Sequence, residues 1–350
     1  MTSMKSNVPI KILIADDAHF MRLVLQDIFN EQASNFTVVA TAENGKEAYE
    51  KTVAHQPNLV LLDLLMPDFD GIYAIEQIMR HCPTPILLLT ALGGGRIQTV
   101  FKALEKGAFD FLIKPDYAGG NLRDMTTILL KKVKQVAHVN VEELVRSKGK
   151  KNTHQHTFDH LSYRVVVLGA STGGTGAIEA ILQRIPVNFP LPIVIAQHMP
   201  PSFIDSFAER LNEVTPLPVK VAQEGEYLQG RTVYLLPCHV NTKLVEQEKH
   251  LVFRYVAEVF TAYNYPSVDA LFLSCACTVG SRAIAILLTG MGKDGTEGMK
   301  ALHAQQAFTI AQDEASSVIF GMAKEAIAQG AVREVLPLEE IGSYIVGCLS

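Results

Sequence analysis

Short apolar runs that alternate with amphipathic stretches are the feature that most limits how this chain can fold. In the first third, apolar runs at 11–14, 59–62 and 86–89 are bounded by polar or turn residues. Such runs are typical of parallel strands buried on both faces. Helical patterns lie between and after them, at 20–29, 45–55, 72–80, 97–105 and 122–138. This alternation predicts a doubly wound α/β domain.

The same alternation resumes in the second half, after a polar stretch. We expect strands at 165–168, 193–196, 233–236 and 284–288, helices at 177–184, 202–212, 268–277 and 295–303, and a hairpin at 243–256. The stretch between the halves contains KGKKNTHQHTFDH and almost no aliphatic residue after Val145, which indicates a solvated linker. The sequence therefore predicts a domain over 3–130, a linker over 131–160 and a second domain over 161–350.

Composition excludes several classes of protein. A net charge of −5 over 350 residues provides no basic surface for nucleic acid. The longest apolar runs, such as 283–288, are far shorter than the roughly 18 residues that span a bilayer, so no membrane insertion is expected. The five cysteines form no C-x-x-C pair, and the N-terminus reaches acidic residues before any apolar segment. A reduced, cytoplasmic compartment is expected.

Acidic residues follow the predicted strands of the first domain. Asp16 and Asp17 come after one strand and Asp63 after another. The carboxyl ends of parallel strands form sites in open α/β sheets, and three converging carboxylates favour Mg²⁺. Thr90 and Lys114, also at strand ends, can hold phosphate oxygens beside such a cation. Taken singly, each residue is also explained as a helix cap or a surface residue.

The order of these residues is more specific than any one of them. DD at 16–17, DLLMPDFDG at 63–71, TA at 90–91 and KP at 114–115 together resemble the receiver domain of two-component response regulators. The resemblance implies a flavodoxin-like fold in which Asp63 accepts a phosphoryl group. It also implies Mg²⁺ held by Asp16, Asp17, Asp63 and the carbonyl of Leu65, phosphate sensing by Thr90 and Lys114, and an aromatic switch at Phe111.

In the second half, the loop GASTGG at 169–174 lies between a predicted strand and a predicted helix. Ser171 on this turn can be a nucleophile, because backbone N–H groups at a helix N-terminus bind an oxyanion. The glycines equally suit a dinucleotide loop, and a serine at this position is often a helix cap. The loop alone leaves all three interpretations open.

Two later residues favour the interpretation of Ser171 as a nucleophile. His198 follows the strand IVIAQ, and Asp294 lies in TGMGKDG after IAILL. Nucleophile, base and orienting carboxylate thus all follow predicted strands, as a triad requires. A dinucleotide site needs an acidic residue about 20 positions after its glycines, and the segment NFPLPIVIAQ offers none. The order Ser, His, Asp also differs from that of the α/β-hydrolases.

Several strings in this half resemble the catalytic domain of the CheB methylesterase family. They are GASTGG, QHMP, SFAERLN, SVDALF, LTGMGKDG and AQDEASS, over about 163–348. Two positions depart from the family pattern, since Ile204 stands where Thr is frequent and Ala323 where Pro is usual. Neither belongs to the expected triad.

The CheB resemblance implies a Rossmann-like, three-layer α/β/α domain that hydrolyses glutamyl methyl esters of chemoreceptors in bacterial chemotaxis. Related enzymes also deamidate receptor glutamines. Ser171 would attack the ester, His198 would act as base and Asp294 would orient it, while backbone N–H groups near Thr172 and Met291 would form the oxyanion hole. No cofactor is expected for the esterase. The histidine kinase CheA would phosphorylate the receiver, which covers the active site until then.

Functions other than an esterase also fit parts of this sequence. A receiver can instead control a DNA-binding or partner-binding output, although no basic recognition helix is present. A degenerate esterase or an NAD-dependent enzyme are further alternatives. His154, His156 and His160 could bind a metal but more simply belong to the linker. Cys238, beside a histidine, could be a thiol nucleophile or a packing residue.

Overall fold

The computed structural model describes residues 8–91, 96–114, 122–139, 141, 163–260 and 265–349. The chain divides into two compact units, Met1–Glu142 and Glu143–Ser350. Most of the predicted linker, its three histidines and Pro115 lie outside the described residues. The bounds 3–130, 131–160 and 161–350 therefore stay predictions.

The first unit alternates strands and helices along the chain. Its elements are β1 (Ile10–Ala15), α1 (His19–Asn30), β2 (Phe36–Ala42), α2 (Gly45–His55), β3 (Leu59–Asp63), α3 (Gly71–His81), β4 (Ile86–Thr90), α4 (Arg96–Glu105), β5 (Asp110–Ile113) and α5 (Leu122–Val136). The five strands are parallel in the order β2-β1-β3-β4-β5. This is the flavodoxin-like order, so the predicted fold class is confirmed.

The central strands show why the sequence folds this way. Every residue of LVLLD in β3 and of ILLLT in β4 is buried, because helices cover both faces of a parallel sheet. Polar side chains occur only at the last position of each strand. The sequence did not predict β2, an edge strand whose central residues are only half-buried.

The second unit is larger and contains a separate hairpin. Its elements are β6 (Val165–Ala170), α6 (Gly174–Leu182), β7 (Ile193–Gln197), α7 (Ile204–Val214), β8 (Val219–Val221), β9 (Val233–Leu235), β10 (Asn241–Gln247), β11 (His250–Val256), α8 (Val268–Thr278), β12 (Ala283–Leu287), α9 (Thr296–Ala304), β13 (Phe308–Gln312), α10 (Met322–Ala328), β14 (Glu334–Leu336) and α11 (Leu338–Gly347). The predicted hairpin is confirmed as the antiparallel pair β10–β11.

Seven parallel strands form the main sheet in the order β14-β13-β12-β6-β7-β9-β8. Alternate residues of β6 enter different packing layers: Val165 and Val167 join the core of α8 and α9, while Val166 and Leu168 are equally buried outside it. Both faces are therefore covered, as predicted for three layers. The chain leaves β6 towards β7 on one side and later returns to β12 on the other. Ligand sites form at such a switch point, beyond the carboxyl ends of the strands.

The contact between α8 and α9 depends on a glycine. A Cβ on Gly298 would overlap with Cβ of the fully buried Phe272. We expect Gly298→Ala to lower the free energy of unfolding of this unit by about 1–3 kcal/mol, because a packed core does not absorb an added methyl group. Urea unfolding of the full chain measures the change.

Gly176 in α6 is the matched control. It is exposed, and a Cβ there meets nothing within 4 Å. Gly176→Ala is expected to stabilise by about 0.5–1 kcal/mol through helix propensity alone. Equal effects of the two substitutions would contradict the packing explanation.

Candidate functional sites

Three carboxylates meet at the carboxyl edge of the first sheet. Asp16 follows β1 directly, Asp17 comes next, and Asp63 ends β3. One oxygen from each lies within 4.8 Å of the others. Asp16 and Asp63 are buried and Asp17 is exposed, so the cluster opens to solvent on one side. An oxygen-only donor set of this kind fits Mg²⁺.

Lys114, the residue after β5, reaches into this cluster. Its Nζ lies 2.6 Å from Oδ2 of Asp16 and 2.5 Å from Oδ2 of Asp63. Burial alone would lower the pKa of Lys114, but the charges of Asp63 and Asp16 raise it above its ordinary value. The ammonium therefore stays protonated and can hold an anionic group at Asp63.

The other residues predicted around Asp63 lie at the same edge or on the strands that lead to it. Thr90 is buried at the end of β4, and its carbonyl accepts the amide of Lys114 at 2.7 Å. Phe111 is buried in β5. Leu65 lies in the loop after β3 with an exposed side chain. Its amide is 3.4 Å from Oδ1 of Asp63, so this loop follows the carboxylate closely.

In the second unit, Ser171 lies on a tight turn between β6 and α6. Its amide donates to the carbonyl of Thr289, after β12, at 3.1 Å, and its own carbonyl accepts the amide of Gly174 at 2.8 Å. Gly173 has a φ of 77°, a left-handed conformation that glycine adopts without strain. The turn therefore holds the serine at the carboxyl end of the sheet, beside the switch point.

His198 and Asp294 form a buried pair next to this serine. The register of β6 and β7 pairs Ala170 with Gln197, so Ser171 and His198 are the next residue on each strand. Nε2 of His198 lies 2.8 Å from Oδ2 of Asp294, and the two side chains are 4% and 1% exposed. Burial alone would raise the pKa of Asp294, but the hydrogen bond and charge of His198 hold it below its ordinary value.

Asp294 is held at the N-terminus of α8. Hydrogen bonds reach its carboxylate from Ser267 Oγ, the amides of Val268, Asp269 and Gly295, and His198 Nε2. Ser267 is also the N-cap of α8, since its Oγ accepts the amide of Ala270 at 3.2 Å. A helix N-terminus favours a negative charge, so this position keeps the carboxylate ionised and fixed.

The predicted oxyanion donors flank the serine. Thr172 follows it directly and is buried, and its carbonyl accepts the hydroxyl of Thr289 at 2.9 Å. Gly290, the residue before Met291, packs against the serine: a Cβ there would lie 2.7 Å from Cβ of Ser171. Both segments thus approach Ser171, which an oxyanion hole for this serine would need.

Other sequence features have structural explanations. Cys238 is buried, and burial raises the pKa of its thiol to about 12, which leaves no thiolate for attack. Ile204 and Ala323 are buried at the start of α7 and in α10, so the two departures from the family pattern are packing positions. Among the described residues, no helix is both long and apolar enough to cross a membrane.

Sequence reasoning missed two residues that contact the expected triad. Ser267 holds Asp294, and its position before an apolar helix in SVDALF is an N-cap pattern that could have indicated the helix start, though not the carboxylate. Gln197 donates from Nε2 to the carbonyls of Ser171 and His198. No sequence pattern indicates that contact.

Comparison with known proteins identifies the family of each unit. Residues 166–345 match the family model "CheB methylesterase", and residues 12–126 match "Response regulator receiver domain". The protein-glutamate methylesterase/protein-glutamine glutaminase of Desulfitobacterium hafniense is 34% identical over 97% of this chain and 98% of its own length. A second such protein, from Carboxydothermus hydrogenoformans, is 37% identical over 96% of this chain and 98% of its own.

A solved structure gives the same result for the second unit. The crystal structure of the Thermotoga maritima CheB methylesterase catalytic domain is 37% identical, with a TM-score of 0.51, and covers 53% of this chain and 98% of that one. The fold class predicted for this unit is therefore confirmed. The chain belongs to the CheB methylesterase family and carries a response-regulator receiver domain in front of the esterase domain.

Proposed function

We propose that this chain is a phosphorylation-regulated protein-glutamate methylesterase of bacterial chemotaxis that also deamidates glutamine. Its substrates are chemoreceptor side chains, its phosphodonor is the histidine kinase CheA, and it works in the cytoplasm. The observation that carries the proposal is the buried His198–Asp294 pair, 2.8 Å apart, beside Ser171 at the switch point of the sheet. The names of the full-length relatives support the substrate class.

In the proposed reaction, Ser171 Oγ attacks the carbonyl carbon of the glutamyl ester while His198 takes its proton. Because Nε2 faces Asp294, Nδ1 is the ring nitrogen that would accept this proton. Asp294 stabilises the imidazolium that results, and the amides of Thr172 and Met291 stabilise the oxyanion. His198 then protonates the departing methoxide, methanol leaves, and water hydrolyses the acyl-enzyme by the same route.

We propose further that Asp63 is the phosphorylated residue. Asp16, Asp17, Asp63 and the carbonyl of Leu65 would hold Mg²⁺, which neutralises charge on the phosphoryl oxygens when bound. Lys114 and Thr90 would contact the phosphoryl group, and Phe111 would respond to it. The convergence of three carboxylates with Lys114 supports this assignment. Phosphorylation would then shift an equilibrium between an inhibited and an active state.

Methanol release from methylated receptor membranes tests the function, with and without a small phosphodonor. We expect the phosphodonor to raise the rate for the unmodified chain and to have no effect on Asp63→Asn, which lacks the acceptor carboxylate.

Asp68→Asn is the matched control. Asp68 lies in the loop after β3, is exposed, and has a φ of 62°, which asparagine tolerates. This variant should respond like the unmodified chain. A phosphodonor response of equal size in Asp63→Asn would contradict regulation through Asp63, and absence of methanol release from the unmodified chain would contradict the enzymatic function.

A further inference from the structure

Gln197, the last residue of β7, joins the two chain segments that carry the proposed nucleophile and base. Its Nε2 donates to the carbonyl of Ser171 at 3.0 Å and to the carbonyl of His198 at 2.9 Å. The residue is 3% exposed, so the donor group of both bonds is buried, and each bond as a whole is partly buried. One carboxamide thus links the backbones of both residues.

These two hydrogen bonds of Gln197 lie where the hydrogen-bond ladder between β6 and β7 ends. Ala170 and Gln197 are the last pair in register, and the amide of His198 donates to the carbonyl of Ala170 at 3.0 Å. Beyond this point the chain after Ser171 turns into α6, and the chain after His198 enters the short 3₁₀ helix Pro201–Phe203. Backbone carbonyls at the end of a ladder need donors. The side chain of Gln197 supplies one to His198, and to Ser171 a second one beside the amide of Gly174.

The other end of the same carboxamide is not satisfied. Among the described residues, Oε1 of Gln197 is a buried oxygen without a hydrogen-bond partner. It lies against Gly174, where a Cβ would overlap with it. Leaving a buried oxygen unpaired is unfavourable, and an apolar side chain of similar length would avoid it. A glutamine at this position is therefore explained if its two N–H hydrogen bonds are needed to hold the carbonyls of Ser171 and His198.

We propose that Gln197 is a positioning residue, whose two N–H bonds set the separation between Ser171 and His198. The inference rests on the proposed function, because it assigns Gln197 a part in that reaction. A displacement of a reacting group by about 1 Å costs about 10²-fold in rate, so a small shift between these strand ends has a large effect. Gln197 itself touches neither the ester nor the transferred proton.

Two substitutions in the full chain test the proposal. Gln197→Met fills a similar volume without donors, and Gln197→Glu keeps the shape but turns oxygens towards both carbonyls. With phosphodonor present, we expect both to lower kcat for methanol release by about 10²-fold with KM unchanged, because the alignment of Ser171 is lost and receptor binding is not. If Gln197→Glu does not fold, Gln197→Met decides, since it buries no charge.

A serine-directed fluorophosphonate probe separates this inference from the function itself. Labelling of Ser171 needs the same base but no receptor, so the Gln197 variants should label about 10²-fold more slowly. If the unmodified chain labels but releases no methanol, the proposed function fails and labelling still decides the role of Gln197.

Gln312→Met is the matched control for the probe. Gln312 is fully buried at the end of β13, where it bonds the amide of Thr289 and the carbonyl of Ser316. It therefore reaches Ser171 only through Thr289, and it bonds neither Ser171 nor His198 directly. It should slow labelling far less. A folded Gln197→Met variant that labels at the unmodified rate would overturn the proposal. Equal slowing by the Gln197 and Gln312 substitutions would also overturn it, because it would indicate general loosening of the sheet edge.

Discussion

Ser171→Ala is expected to lower kcat for methyl-ester hydrolysis by more than about 10⁴-fold, because the variant has no oxygen to attack the ester. The remaining activity would come from the oxyanion donors and from substrate binding alone. The loss should appear in kcat, and binding to receptor membranes should persist. Methanol release and receptor co-sedimentation measure the two quantities.

The fold should tolerate this substitution. The hydrogen bonds that hold the turn at Ser171 come from its backbone, to Thr289 and Gly174, so alanine keeps them. Ser343→Ala, at an exposed position of α11, is the matched control and should keep full activity. A folded Ser171→Ala variant with the unmodified rate would show that hydrolysis uses another nucleophile.

Asp294→Asn is expected to lower kcat by about 10⁴-fold, the scale of the same change in the serine protease triad. The amide cannot stabilise an imidazolium. Its NH2 group would also face a donor in either orientation, since Ser267 and Asp269 donate to Oδ1 and Val268 to Oδ2. Stability should fall as well, because the N-terminus of α8 loses its anion. Steady-state kinetics and urea unfolding of the same samples measure both effects.

Asp269→Asn is the comparison for this variant. Asp269 is a buried neighbour whose Oδ1 accepts the amide of Gly298, a bond that asparagine can keep. Because this side chain bonds α9 through Gly298 and does not bond His198, Asp269→Asn should lower kcat far less than Asp294→Asn does. If the two variants lose the same activity, the loss reflects the packing of α8 and not the orientation of His198.

The residues that the sequence singled out lie together in the structure because they follow one rule. Asp63, Ser171 and His198 each lie at or directly after the end of a buried strand, and such strands are recognisable as short apolar runs. The prediction failed where that pattern is weak or interrupted. The edge strand β2 is only half-buried, and β8 and β14 are three residues long, too short to show a period. The strand β13 is fully buried but was also missed, because Thr309 interrupts its apolar run.

The contacts that surround the site were not accessible from sequence. Gln197 and Ser267 act through hydrogen bonds to residues 26 or 27 positions away in the chain, and only the completed fold brings those partners together. Gly174 similarly appears as a loop glycine in the sequence, whereas the structure shows that it leaves room for the carboxamide of Gln197.

The position of Asp294 has a consequence for how a protein of this kind can lose activity. The carboxylate that bonds His198 also accepts hydrogen bonds at the start of α8, so a substitution there is expected to lower activity and stability together. In the part of the chain that the structure describes, the side chain of Ser171 holds no helix terminus in this way. A descendant that keeps receptor binding but abandons hydrolysis is therefore expected to change its serine first and to retain its aspartate.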